Sequence, residues 1–375
     1  MSRIVVAMSG GVDSSVAAAL LVEQGLEVVG VSMQLYDRRE GAAGEGFGSC
    51  CSLDDLQDAR RVAASLGVPH YIMNFERQFA TEVVDRFVEE YLAGRTPIPC
   101  TRCNSELKFA TLLDRARALG AEQVATGHYA RIATDERTGR LELRRGLDHA
   151  KDQSYFLFSL DQSQLARSRF PVGELGKPEV REHARRLGLR VAGKPDSQEI
   201  CFVPDGDYAA FIERRAGAGA GGPIVHVDGS ALGSHGGIHR FTVGQRKGLG
   251  LSAGRPLYVV AVEPDTCTVV VGPPEALDEP VALVEDVNWV SGEAPGTAIR
   301  ATVQIRHRHA AAPATVTPLP GRRARVRFDA PQRAITPGQA AVFYDGDVVA
   351  GGGWIGRRAE CPTPPPSPRA AGRPR

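Results

Sequence analysis

The sequence predicts an α/β protein: a doubly wound parallel sheet at the N-terminus, then a small central domain and a C-terminal β-barrel. Three observations lead there. As far as residue 203, short apolar runs of strand length alternate with segments of helical periodicity, the pattern of a parallel sheet covered by helices. A Gly/Ala-rich linker at 216–222 ends that alternation. Beyond it, short strand-like runs follow one another between turn signals, as in a small barrel. The expected divisions are 1–203, 204–280, 281–356 and a tail at 357–375, Pro/Arg-rich and without core-forming residues, that is expected to be disordered. A chain of 375 residues can fill domains of that number and size.

In order along the chain, Ile4 to Met8 is an apolar, β-branched run too short for a helix and reads as a buried strand. Ser9-Gly10-Gly11-Val12-Asp13-Ser14-Ser15 follows, and residues 16–22 suit a helix closed by Gly25. Strand, glycine turn and helix N-terminus together make an anion site, because backbone N–H groups converge where the helix dipole is positive. A second strand is expected at 27–33, a glycine-rich mobile loop at 37–49, and a helix capped by Ser52 with Asp54 and Asp55 in its first turn. Next come a strand at 70–74, helices at 75–93 and 104–119, and a strand at 123–126. Ligands of such sheets gather at the carboxyl ends of the strands, which singles out Met33, Gly127 and His128.

Residues 131–145 read as a hairpin turning at Arg137-Thr138-Gly139. Lys151-Asp152-Gln153-Ser154 then runs into the aromatic Tyr155-Phe156-Leu157-Phe158, and a helix is expected at 178–187. The last five residues of 194–203, which include Cys201, read as a strand. A short helix at 207–215 precedes the linker. Past it lie a basic glycine-rich loop at 241–250 and a hairpin of 257–263 with 268–271. A second β unit starts near Val281, with strands near 299–304, 325–328, 341–344 and 348–350.

Composition narrows the function. No apolar run approaches membrane-span length and the N-terminus lacks a signal pattern. Seven cysteines, an odd number in a chain this long, read as thiols of a reducing compartment, so the cytoplasm is expected. The net charge of +1 advertises no nucleic-acid partner globally, so any such surface must be local. Residues 300–333 supply one, with eight arginines, His307 and His309 against the single acidic Asp329; a solvated arginine face is the competing reading. Of 45 basic residues only five are lysines. Lys108, Lys151, Lys194 and Lys247 fall in the distinctive stretches, whereas Lys177 reads as part of a plain helix start.

The glycine turn lacks the Gly-Lys-Ser/Thr of a Walker loop and the G-x-G-x-x-G of a dinucleotide site. Ser-Gly-Gly-Val-Asp-Ser instead resembles the pyrophosphate loop of ATP pyrophosphatases, which implies a phosphate cradle at Ser9, Ser14 and Ser15, with Mg2+ near Asp13. Cys100-Thr101-Arg102-Cys103 precedes the expected helix at 104–119, where the helix N-terminus and Arg102 would favour a thiolate at Cys103. No second cysteine pair completes a structural zinc site. A redox pair and, for Cys201, a buried inert thiol remain open readings. Cys50, Cys51, Cys267 and Cys361 receive no role.

Taken together, AMSGGVDSSV, PCTRCNSELKF, ATGHYAR, KDQSYFL, GKPDSQEICFV, FTVGQRKGLG and AITPGQAAVFYDGD with GGGWI resemble the tRNA-specific 2-thiouridylases, from about Ile4 to Ile355. The resemblance implies an N-terminal domain of the adenine nucleotide α-hydrolase type and a tRNA sulfurtransferase that uses ATP to activate the C2 oxygen of wobble uridine. It places ATP at Ala7, Met8, Ser9, Gly10, Gly11, Val12, Asp13, Ser14, Met33 and Gly127. It makes Cys103 the nucleophile and Cys201 the persulfide carrier, with Asp13 also catalytic. It puts tRNA on His128, Lys151, Asp152, Gln153, Arg306, His307 and Gln339. A persulfide donor, either a cysteine desulfurase or a sulfur-relay protein, is implied as a partner. An iron–sulfur cluster on Cys100, Cys103 and Cys201 is the less favoured version of the same chemistry. One departure is Ile98, where the family often has Asn. Two rivals remain at this level: a pyrophosphate-loop ligase of small molecules, which leaves Cys103, Cys201 and the barrel unexplained, and a non-enzymatic RNA-binding module, for which the loop would be an accident.

Overall fold

The computed structural model describes residues 2–36, 53–196, 200–203, 205–252 and 254–357. The glycine-rich stretch 37–49, Cys50, Cys51, the Ser52 cap and the tail from residue 358, with Cys361, lie outside the described residues.

Among the described residues five parallel strands form the N-terminal sheet: β1 (Arg3–Ala7), β2 (Glu27–Gln34), β3 (His70–Asn74), β4 (Gln123–Ala125) and, after the hairpin of β5 (Ala130–Thr134) and β6 (Leu141–Arg145), β7 (Ser168–Arg169). Their order is β3-β2-β1-β4-β7, so the direction of winding reverses between β1 and β4. β1 is buried on both faces: Val5 belongs to one apolar cluster, Ile4 and Val6 to the other. That is why its sequence is uninterruptedly apolar. Helix α1 (Val12–Glu23) packs on the second cluster and buries Val16, Ala17, Ala18 and Ala19 almost completely. Alanines here let the helix approach the sheet closely.

The long helix expected at 75–93 runs over residues 76–92, with a π-helical stretch at Ala80–Asp85. The helix expected at 104–119 starts five residues earlier, because Pro99 occupies its first turn, where a missing N–H costs nothing. It continues through a π-helical stretch, Cys103–Thr111, to Ala118. The Gln164 side chain donates to the carbonyls of Ser105 (3.2 Å) and Phe109 (3.0 Å) in that stretch. The strand expected at the end of 194–203 does not form. Cys201 and Phe202 lie in a turn closed by Val203 N–H donating to Ile200 O at 2.9 Å. Phe202 is held there by Phe79, Phe87 and Phe211 rather than by a ladder.

The central sheet has the order β10-β11-β8-β9, built from β8 (Gly222–His226), β9 (Ala231–His235), β10 (Tyr258–Glu263) and β11 (Thr268–Gly272). The barrel comprises β12 (Asp278–Trp289), β13 (Ile299–Gln304), β14 (Ala312–Leu319), β15 (Arg323–Arg333), β16 (Ala340–Asp345) and β17 (Val348–Ile355). Its order is β12-β15-β14-β13-β16-β17, and β12 closes on β17. β15 alternates arginine outward with Ala324, Val326 and Phe328 inward, the period of a strand with one dry face.

The expected hairpin at 131–145 forms as β5 (Ala130–Thr134) and β6 (Leu141–Arg145), but it also adds to the barrel, Arg144 pairing with Val348 of β17. Further contacts fasten the two units together. Phe158 packs where a Cβ on Gly352 would come within 2.7 Å of it, and Asn288 donates to Phe158 O (2.7 Å) and Leu160 O (3.0 Å). No helix among the described residues is long and apolar enough to cross a membrane.

Candidate active site

The turn after β1 lies at the winding reversal, the position at which open parallel sheets bind ligands. Gly10 has φ +76°, and a Cβ there would stand 2.1 Å from the Asp55 carbonyl oxygen, so only glycine fits. Gly11 is extended and caps α1. Gly127, just past β4, is pressed on the first turn of α1: a Cβ would lie 2.5 Å from Ser14 N. Ser14 Oγ accepts from Ser9 N–H (3.2 Å) and donates to Gly11 O (3.3 Å), and Ser15 Oγ donates to Gly11 O (2.8 Å). Ala7 to Ser14 and Gly127 thus form one hydroxyl-lined backbone cradle, while Met33, near the end of β2, is buried in the apolar cluster that contains Val5.

Around this cradle the structure assembles a lysine–carboxylate network that sequence reasoning missed. Lys177, read as a plain helix residue, is buried, and its ammonium donates to Asp13 Oδ1 (2.8 Å) and Oδ2 (2.9 Å) and reaches Asp196 Oδ1 at 2.7 Å. Tyr129 OH donates to Asp13 Oδ1 at 2.8 Å. Burial first, and the Asp13 charge second, push the Tyr129 phenol far above its ordinary pKa, so it remains a donor. Lys151 donates to Asp196 Oδ2 at 2.8 Å. Burial alone would raise the Asp196 pKa, but hydrogen bonds from Lys151 and Lys177 outweigh it and hold that carboxyl below its usual range. Lys194 donates to Gly10 O (3.0 Å), Asp55 (2.6 Å) and Asp58 (2.8 Å). The one signal available beforehand was scarcity, since three of only five lysines converge here.

Cys103 and Cys201, about a hundred residues apart in sequence, pack against the same apolar cluster as Tyr36, Ile98, Phe202 and Phe211. Tyr36 OH donates to Cys201 O at 3.2 Å. Because the helix begins at Pro99, Cys103 stands in its second turn and Cys100 in its first, so the dipole argument made for Cys103 weakens. The Arg102 guanidinium lies over Trp354, 5.2 Å from its ring centre. Cys100 is exposed. Among the described residues, no three His, Cys, Asp or Glu side chains converge as metal ligands, and Cys100, Cys103 and Cys201 therefore do not form such a group.

The residues implied to meet RNA fall in three environments. His128 is buried between Phe109 and Phe170, with Nδ1 2.7 Å from Thr126 Oγ1, and burial, then Lys108, depress its pKa well below the ordinary value. Asp152 and Gln153 point inward: Asp152 binds Arg145, Gly146 and Ser154, and Gln153 Oε1 accepts from Tyr129 N–H at 3.0 Å. On the barrel side, Arg306 donates to the carbonyls of Arg333 (3.1 Å) and Ala334 (3.4 Å), the His307 ring lies tilted against Phe156 with 4.6 Å between ring centres, and Gln339 donates to Thr96 O at 2.9 Å. Within the arginine-rich stretch, Arg300 is neutralised by Asp329, whereas Arg325 and Arg327 point outward from β15.

A doubly wound sheet with an anion-binding glycine turn at its winding reversal, joined to a closed barrel, defines a phosphate-binding α/β domain carrying an appended β-module. Family models match in three consecutive pieces: a tRNA methyl transferase HUP domain over 2–205, a tRNA methyl transferase PRC-barrel domain over 209–273 and an aminomethyltransferase beta-barrel domain over 281–355. The tRNA-specific 2-thiouridylase MnmA of Solibacter usitatus is 57% identical over 365 residues, covering 94% of this chain and 98% of the relative. The protein of the same name from Geobacter metallireducens is 57% identical over 356 residues, covering 94% and 96%, and that from Heliobacterium modesticaldum is 52% identical over 366 residues, covering 96% and 94%. The chain belongs to the tRNA-specific 2-thiouridylase family.

Proposed function

We propose that this protein replaces the C2 oxygen of wobble uridine in tRNA by sulfur, consuming ATP and releasing AMP and pyrophosphate. The observation that carries the reading is the pairing, in one domain, of the β1–α1 anion cradle with two distant cysteines packed on the same core cluster. The cradle suits ATP: without a Cβ, Gly10 and Gly127 let the turn pack closely on Asp55 and on the first turn of α1, and the hydroxyls of Ser9 and Ser14 line it. Lys177 and Lys194 supply cations beside it, and Mg2+ carried with ATP would sit near Asp13.

A pyrimidine C2 carbonyl is a poor electrophile with a poor leaving group. Attack of its oxygen on the α-phosphate expels pyrophosphate and converts that oxygen into part of a good leaving group, AMP. Sulfur arrives at C2 as the terminal atom of a Cys201 persulfide; its addition forms the C–S bond, and the C2–O bond breaks as AMP leaves. Cys103 thiolate then attacks Cys201 Sγ, so that the S–S bond of the transferred persulfide breaks, a Cys103–Cys201 disulfide forms and 2-thiouridine leaves. An external thiol reduces the disulfide before the next turnover. Alternatively Cys103 attacks the persulfide first and frees sulfide, which adds to C2. The base must leave the anticodon stack to reach the cradle, at a cost of a few kcal/mol. The barrel and its arginines, with Arg306, His307 and Gln339, would hold the tRNA, and a cysteine desulfurase or a sulfur-relay protein would charge Cys201.

The test is nucleoside mass spectrometry of tRNA from cells lacking this protein. Loss of 2-thiouridine at the wobble position, restored by the wild-type chain and not by Cys201→Ser, is expected. Unchanged 2-thiouridine in the deletion strain refutes the proposal.

A further inference from the structure

Three consecutive residues, Lys151, Asp152 and Gln153, each fasten a different working part of the molecule. Lys151 donates to Asp196, on the segment that leads to Cys201. Gln153 exchanges two hydrogen bonds with the Tyr129 backbone, N–H to O at 2.9 Å and Oε1 from N–H at 3.0 Å, and the Tyr129 hydroxyl orients Asp13 of the glycine turn. Asp152 grips the barrel junction. Its carboxylate accepts from Gly146 N–H (3.1 Å) and Ser154 N–H (3.0 Å) on Oδ1, and from Arg145 (2.8 Å) and Ser154 Oγ (2.9 Å) on Oδ2. Four donors fill the four acceptor positions of a carboxylate, and the side chain is only 5% exposed.

The Arg145 guanidinium is in turn sandwiched against Tyr344 of β16, 3.5 Å from the ring centre, while Tyr344 OH lies 3.2 Å from Ser154 Oγ. Arg145 N–H donates to Asp347 O at 2.9 Å, next to the point where β6 joins β17. A carboxylate with no acceptor site left and almost no exposure is poorly placed to meet RNA, whose phosphates would repel it.

We infer that Asp152 is a positioning residue, not an RNA contact: through Arg145 and Tyr344 it sets the barrel, and any tRNA held there, in register with the glycine turn, to which Gln153 ties the same loop. The inference rests on the proposed reaction and concerns how its two halves are aligned.

The experiment measures ATP affinity, tRNA affinity and tRNA-dependent AMP formation at saturating tRNA, using a transcript with wobble uridine. Asp152→Asn places an amide donor against Arg145. It is expected to lower the rate of AMP formation at least tenfold, with ATP affinity within about twofold and tRNA affinity within about threefold. Arg145→Gln added to Asp152→Asn restores an amide pair and should recover at least threefold of the rate. A tRNA-affinity loss larger than the rate loss, an unchanged rate, or a rate loss that Arg145→Gln leaves untouched overturns the inference. If Asp152→Asn loses ATP binding, and so its fold, Tyr344→Phe decides, since it removes only the hydroxyl beside Ser154. A rate reduced at least threefold with both affinities kept supports the junction, and full activity refutes it. Absence of AMP formation by the wild-type protein would instead count against the proposed reaction.

Discussion

Replacing Lys177 by Met should destabilise the N-terminal domain by about 2–3 kcal/mol at neutral pH. The ammonium is the shared partner of Asp13 and Asp196, at 2.7–2.9 Å from three carboxylate oxygens. Methionine keeps the length and apolar stem but leaves the two carboxylates facing one another. Removing one member of a fully buried ion pair costs roughly 3–5 kcal/mol. Asp13 and Asp196 retain 30% and 27% side-chain exposure, so water screens part of that loss and the lower figure applies. The pH dependence has a fixed sign. The Asp196 pKa is held below its ordinary value, so its contribution is complete above about pH 4 and is lost as pH falls through the folded-state pKa. Without Lys177 that depression shrinks, so the gap between variant and wild type should be full at pH 7 and narrow toward pH 3. Urea unfolding followed by circular dichroism at 222 nm reads the helices of this domain, while Trp289 of the barrel core, followed in a Trp354→Phe background, reports on the barrel. A variant as stable as wild type at pH 7, or a gap that widens in acid, would refute the reasoning.

Gly127→Ala puts a methyl group 2.5 Å from Ser14 N; overpacking typically costs about 1–3 kcal/mol of stability, so urea unfolding should show the N-terminal domain weakened by that amount, and unchanged stability would contradict the close packing. Cys103→Ser and Cys201→Ser should each abolish thiolation in a persulfide-fed assay, whereas Cys100→Ser should keep substantial activity; equal loss in all three would favour the cluster route. Binding of tRNA should weaken steeply with salt, and Arg306→Gln should reduce the slope by about 0.7–0.9 if its guanidinium meets a phosphate; an unchanged slope in a filter-binding titration removes Arg306 from the RNA surface.

Features written in local pattern were legible in the sequence. The apolar run Ile4 to Met8, the glycines after it and the alternation along β15 each have one good structural solution, and each adopts it. Features that depend on distant partners were not. Nothing near Lys177 announces Asp13 and Asp196, because that meeting is made by the winding of the sheet. The segment at Cys201 has strand composition, but packing of Phe202 into an aromatic cluster overrides it. The helix at Cys103 starts at Pro99, although it was expected from residue 104, because proline is favoured in a first turn. The hairpin β5–β6 was visible; its addition to a barrel two hundred residues away was not.

The most direct test of the central claim is the stoichiometry of a single turnover. Purified protein, charged with persulfide, is mixed with α-labelled ATP and a tRNA transcript bearing wobble uridine. AMP and wobble 2-thiouridine are then quantified together by chromatography and mass spectrometry. One AMP per 2-thiouridine is expected, with neither formed when ATP or the tRNA is omitted. Sulfur incorporation without AMP, or AMP formed equally well with an amino acid in place of tRNA, would contradict it.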